Sequence, residues 1–161
     1  MDIYKVCKEG VTMANNYYGK YRARVVDVSD PENRGRIRVQ CPAVTGESKS
    51  TWCEPCVPVA YDGGGDFYVP KVGDTVWVEF EEGKASKPIW VGGWWSTGKT
   101  SSADCSPDTR VIEFDGCKIE MNKSFFRVTV GDSVFEVGPE SSKMSSGNAS
   151  MSLSNGKIML N

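Results

Sequence analysis

Histidine is missing from all 161 residues. Its absence removes Ser-His-Asp and Cys-His catalysis, the usual acid and base at neutral pH, and every His-ligated metal site. Leucine is nearly missing: Leu153 and Leu160 stand against nineteen valines. Leucine favours helices and valine favours strands, so the bias points to an all-β protein. No apolar run approaches the ~18 residues that a transmembrane helix needs, and no such helix is expected. The opening Met1–Gly10 stretch lacks the apolar core of a signal peptide, so the chain is expected to start in the cytosol. Excess positive charge is missing too. The formal net charge is −2 and the isoelectric point about 5.3, which gives no support to a nucleic-acid partner. What is present, 39% apolar residues and 17 glycines, suits one folded domain or a small domain with an appendage.

The six cysteines are Cys7, Cys41, Cys53, Cys56, Cys105 and Cys117. In a cytosolic chain Cys53-Glu-Pro-Cys56 raises zinc or redox chemistry before disulfides. Zinc usually takes four ligands, and neither a second Cys-x-x-Cys nor a His pair is present. Cys41 and Cys7 complete a four-thiolate site only if the fold gathers them. A thioredoxin-type role wants the first cysteine at a helix N-terminus, and no helical pattern stands there. Small, buried free thiols are the favoured reading, with a zinc site through Cys41, Cys53 and Cys56 left open.

Three zones follow along the chain. Residues 1–18 read as a polar arm. Residues 19–95 alternate in the strand period: Tyr21–Val28, Arg36–Cys41, Cys56–Ala60, Thr75–Phe80 and Pro88–Gly92. Loops rich in Pro, Gly and Asp separate them, among them Ser29–Gly35 and Asp62–Asp66. About five short strands in this span suit a small closed barrel of the OB type. Residues 96–109 form a polar linker. Beyond it, in 110–161, strands of four to six residues recur: Arg110–Phe114, Cys117–Met121, Phe125–Val130, Ser133–Val137, Lys143–Ser146, Ala149–Leu153 and Lys157–Leu160. Asp115-Gly116 and Asn155-Gly156 are hairpin signals, so antiparallel hairpins are one reading.

Burial is the difficulty in the third zone. Each strand offers two or three apolar residues on one face, while the opposite face turns to Lys, Glu and, at the end, seven serines between Ser141 and Ser154. A meander of this size has too little core to stand alone. Three such ribbons about one axis would bury every apolar face, so the sequence asks for copies of itself. The candidate needle core is Ile119, Met121, Phe126, Val128, Val130, Met151 and Leu153.

A resemblance now becomes visible. Tyr21-Arg-Ala-Arg-Val-Val-Asp-Val-Ser-Asp-Pro31, leading to Arg34-Gly-Arg-Ile-Arg-Val-Gln-Cys-Pro42, resembles the opening strands of the baseplate-spike OB domain of contractile phage tails. That family includes type VI secretion VgrG proteins and R-type bacteriocins. Trp52, Pro70-Lys-Val-Gly-Asp-Thr-Val-Trp-Val-Glu-Phe80 and Pro88-Ile-Trp-Val-Gly-Gly93 extend the likeness, with Pro70, Gly73, Asp74, Pro88 and Gly92 as its motif positions. The tail after residue 109 resembles the family's triple-stranded β-helix by texture. Some relatives insert a lysozyme domain between barrel and needle; only a short linker stands here, so no hydrolase is implied. Others hold iron at the needle tip through His-x-His, which a chain without histidine cannot do. The needle's end in relatives is capped by a separate PAAR-type tip protein.

Several signals compete with plainer readings. Gly93-Trp-Trp-Ser-Thr-Gly-Lys-Thr100 matches the phosphate-loop pattern by letter. A working phosphate loop needs its Lys and Thr at the start of a helix, and no helical period follows, so it reads as a strand end entering the linker. Five tryptophans exceed what a small barrel can enclose. Alternation turns Val76, Val78 and Phe80 inward and Trp77 outward, and turns Ile89 and Val91 inward and Trp90 outward. Trp77, Trp90, Trp94 and Trp95 are therefore candidates for a hub or trimer interface. Arg22, Arg24, Arg34, Arg36 and Arg38 allow single-strand nucleic-acid binding on an OB barrel. A similar number of acids nearby favours a solvated face, or one matched to an acidic protein partner.

The resemblance and the residues together imply an all-β protein: an N-terminal OB-fold barrel followed by an intertwined trimeric β-helix or β-prism needle. They imply a non-enzymatic structural spike at the tip of a contractile tail or injection apparatus, without cofactor or metal. It would assemble in the bacterial cytoplasm and act at the tail tip of a virion or particle. Its expected partners are two further copies of itself, a baseplate hub protein, and a tip protein contacting Ile158, Met159 and Leu160; contact with the target cell envelope is transient, and no nucleic acid is bound. The alternative is an OB-fold single-stranded nucleic-acid binder with an oligomerising β tail.

Overall fold

The computed structural model describes residues 15–100 and 106–161. The chain divides between Gly98 and Lys99 into two compact units. Both are built of strands; the one α-helix among the described residues, α1 (Pro42–Thr45), has four residues.

In the first unit the strands are β1 (Tyr21–Asp27), β2 (Arg38–Gln40), β3 (Glu54–Pro55), β4 (Ala60–Tyr61), β5 (Gly64–Gly65), β6 (Thr75–Phe80) and β7 (Pro88–Gly93). A five-stranded sheet takes the order β2-β1-β6-β7-β3, antiparallel except for the β3–β7 pair. The segment that ends in β3 also bridges back to the other edge. Ile37 pairs with Cys53 and Gln40 with Lys49, and the Ser50 amide donates to the Val39 carbonyl at 2.8 Å. The sheet thus curls round a core and meets itself, which is the topology of an OB barrel. The core is made by alternate residues of each strand: Ala23 and Val25, Ile37, Val39 and Cys41, Cys53, Val76, Val78 and Phe80, and Trp90. Tyr17 packs on it from the arm, with its ring 5.8 Å from that of Phe80.

One expected strand is displaced. In place of Cys56–Ala60 the regular pairing falls on Glu54–Pro55, and the Cys56 amide donates to the Trp90 carbonyl at 2.9 Å. Pro58 has no amide hydrogen to continue the ladder. The chain instead leaves the barrel for the small β4–β5 hairpin.

The second unit is a seven-stranded antiparallel meander in the order β14-β13-β12-β11-β10-β9-β8. Its strands are β8 (Arg110–Phe114), β9 (Cys117–Met121), β10 (Phe126–Val130), β11 (Ser133–Val137), β12 (Ser141–Ser146), β13 (Ala149–Ser154) and β14 (Lys157–Leu160). The turns follow from their residues. Asp115-Gly116 and Asn155-Gly156 take positive φ at both positions, as a type I′ hairpin requires, while Gly131 and Gly147 supply it at the first position of theirs. Between β9 and β10 the Asn122 side-chain carbonyl accepts from the Ser124 and Phe125 amides at 2.8 and 3.1 Å.

Candidate interaction surfaces

Strand register decides which side chains of the meander share a face. Val128 stands opposite Ile119 and Phe135; Ile119 stands opposite Ile112; Met144 stands opposite Phe135 and Met151; Met151 stands opposite Leu160. One column of seven apolar residues therefore crosses every strand at right angles. Met121, Phe126, Val137, Leu153 and Ile158 form a second column on the same face, and Phe114, Cys117 and Val130 begin a third. That third column turns to Ser133, Ser146 and Ala149, so the apolar stripe narrows towards β14. All seven candidate core residues of the needle lie on this face, as do Ile158 and Leu160, with Met159 on the other.

No second layer of the meander covers this face. Phe114 is 62% exposed, Ile112 54% and Met144 50%, and on the edge strand Ile158, Met159 and Leu160 are 68%, 52% and 78% exposed. A contiguous apolar face of this extent is a candidate interaction surface. The opposite face is a charged ladder. Arg127 pairs with Glu136 at 2.6 Å and lies 3.7 Å from Glu120, which takes Lys118 at 2.8 Å. Towards β14 this ladder gives way to Lys143, Ser150, Ser152 and Ser154.

In the barrel the tryptophans divide. Trp77 is half-buried on the outer side of β6 and faces Arg22 across the β1–β6 pair. The Arg22 guanidinium lies 5.4 Å from the Trp77 ring and 4.5 Å from that of Trp94, and the two rings are 6.2 Å apart. Trp95 is 71% exposed. Trp90 corrects the expectation: it points inward, 7% exposed, and its indole N–H donates to the Gly35 carbonyl at 3.1 Å. The reason is register. Trp90 stands directly opposite Val78 and Pro88 opposite Phe80, so these four share the inner face, while Ile89 faces outward opposite Glu79. The buried indole is thus no interface candidate.

The motif positions have local work. Gly73 takes φ +97° in a turn whose Asp74 carboxylate accepts from the Lys71 amide at 2.8 Å. That turn is pinned to β1 by Gly73 N–H to the Val25 carbonyl and Val25 N–H to the Asp74 carbonyl, both 2.9 Å. Pro70 leads into the turn. Gly92, at φ +133°, sits in a bulge opposite Trp77, a backbone region closed to most other residues.

Asp30 organises the β1–β2 loop, a role the sequence reading missed. Its carboxylate accepts from the Arg36 Nε and Nη2 at 3.0 and 2.6 Å and from the amides of Glu32, Arg34 and Arg36. Those hydrogen bonds, the Arg36 pair foremost and against the cost of burial, hold the Asp30 carboxyl well below the usual carboxylate range and push Arg36 up. A carboxyl whose folded value is depressed stabilises the fold fully above its unfolded value of about 3.9 and loses that contribution as pH falls below it. In urea titrations, Asp30→Asn is expected to unfold at a lower midpoint than wild type at neutral pH, with the gap narrowing below about pH 4. A gap that is constant with pH would contradict this role.

Among the described residues the cysteines do not gather into one site. Cys41 and Cys53 belong to the barrel core while Cys56 is exposed, and burial pushes the Cys53 thiol up to about 11. Cys7 and Cys105 lie outside the described residues. Among the described residues no cluster of Cys, Asp or Glu is arranged to hold a metal. In the phosphate-loop look-alike, Gly93 ends β7 and Gly98 lies in a turn at φ +73°, with no helix over 94–100.

Residues 21–95 match the family described as the type VI secretion system/phage-baseplate injector OB domain. No curated protein matches the chain.

Proposed function

We propose that this chain, whose residues 21–95 are an injector OB domain of the type VI secretion and phage-baseplate family, is the structural spike of a contractile tail or injection apparatus. That domain supports a baseplate-related role in association with baseplate components. The spike reading rests on a single observation: the C-terminal meander exposes a continuous apolar column from Ile112 to Leu160. Three meanders with these faces turned inward form a β-prism whose axis lies along the hydrogen-bond direction. With strands about 4.8 Å apart, seven of them span about 30 Å. The narrowing of the stripe towards β14 tapers such a prism; the serines and the charged ladder lie on its outer side, with Glu120 buried between Lys118 and Arg127.

Mechanically, sheath contraction drives this prism against a cell envelope. Rigidity is what the task demands, and unbroken backbone ladders about a dry core supply it. The barrel joins the prism to the hub, and the exposed edge formed by Ile158, Met159 and Leu160 seats a separate tip protein of the PAAR type. No catalytic step is assigned to any residue. The family match supports this reading over an OB-fold nucleic-acid binder.

Light scattering of the full chain is expected to give the mass of three copies. Removing residues 156–161 is expected to leave that mass trimeric while abolishing co-purification of the tip partner. A stable, folded monomer would overturn the proposal.

A further inference from the structure

The outer face of β1 and β6 carries charge that the chain itself leaves unanswered. Arg22 and Arg24 are exposed and, among the described residues, neither has an ionic partner, whereas Lys20, Arg34 and Arg36 each hold a carboxylate. Arg22 is held in place by the two indoles it stacks on, Trp77 and Trp94. Trp94 is in turn fixed by Thr75, whose hydroxyl donates to the Trp94 carbonyl at 2.5 Å. The Trp94 indole Nε1 is buried without an acceptor. The face thus presents two guanidinium groups without carboxylate partners, Arg22 on aromatic supports of the kind that carry binding energy in protein interfaces.

We propose that this face binds an extended segment of the hub protein bearing carboxylates at alternate positions. The inference rests on the spike reading and names the chemistry of its hub contact. Arg22 and Arg24 are two residues apart on one strand, which sets their side chains about 7 Å apart, the spacing of acidic residues i and i+2 in an extended partner. Carboxylates accept bidentately from guanidinium groups, so the pairing is specific in geometry as well as charge. A nucleic acid fits less well. Between residues 19 and 95 the acidic side chains slightly outnumber the basic ones, so a long polyanion finds little net attraction beyond the two arginines.

The test uses the full chain and an alternating Glu-Ser hexapeptide, followed by tryptophan fluorescence at about 50 mM salt, where screening is modest. The peptide is expected to bind, its Gln-Ser counterpart is not, and Arg22→Gln/Arg24→Gln is expected to weaken binding about tenfold or more. Arg22→Lys, which keeps the charge and loses the planar fork, is expected to fall between. Three results would overturn the proposal: no binding of the Glu-Ser peptide to the wild-type chain, equal binding by the double variant, or tighter binding of an oligothymidylate of equal charge. Loss of the trimer in the double variant would also overturn it, by assigning the face to contacts between copies. Light scattering on the same samples separates these results from a failure of the spike reading, which would appear as a wild-type monomer.

Discussion

Phe135→Asp is expected to break up the proposed trimer at neutral pH and, because the meander has too little core to stand alone, to leave the barrel as the folded part of each released chain. Phe135 stands in the central column on the middle strand of the meander, between Val128 and Met144, and is 39% exposed in one copy. In an isolated meander the new carboxylate faces water and costs little. Turned towards a three-fold axis, three carboxylates would meet in a dry core, and burying each ion costs several kcal/mol. Burial and like charge both raise such a carboxyl above its unfolded value of about 3.9, so the penalty is full above the raised value, lifts as pH falls through it, and is gone below about 3.9. Sedimentation should therefore show monomer at neutral pH and partial recovery of trimer in acid. Phe135→Asn, which adds no charge, should dissociate less and show no such recovery. A trimer unaffected by Phe135→Asp would mean that the apolar column does not form its core.

Trp90→Ala is expected to be the most destabilising single truncation in the barrel, by about 3–5 kcal/mol. The indole fills the inner face opposite Val78, and its loss leaves both a cavity and an unanswered Gly35 carbonyl. Trp95→Ala, at a site 71% exposed, is expected to stay within about 0.5 kcal/mol of wild type. Denaturant unfolding followed by circular dichroism compares the two. Similar midpoints would contradict the inward placement of Trp90.

Much of this protein was legible before its structure. The positions of β1, β6, β7 and all seven strands of the meander follow from period-two alternation and from Asp-Gly and Asn-Gly turns, which are local properties. The apolar face is local as well, so Ile119, Met121, Phe126, Val128, Val130, Met151 and Leu153 could be grouped from the residues alone, whereas Phe135 and Met144, which complete the column, emerge only from strand register. So could the OB motif over 70–93, because a turn such as Lys71–Asp74 is specified by its own side chains.

Tertiary structure alone decided what depends on register and loop closure. Alternation says that Trp90 and Ile89 face opposite ways but not which one faces in; pairing with β6 decides it, and the bulge at Gly92 resets the register just beyond. The β1–β6 pairing sets Arg22 against Trp77, residues 55 positions apart in the chain. Asp30 and Arg36 meet because the β1–β2 loop turns back on a buried carboxylate, a convergence that no periodicity encodes. Cys53 and Cys56 share a motif by letter but separate in the fold, one entering the core and one facing water, because that segment leaves the barrel at Pro58. Sequence determines such features only through contacts between distant residues, and those contacts exist once the sheet has closed.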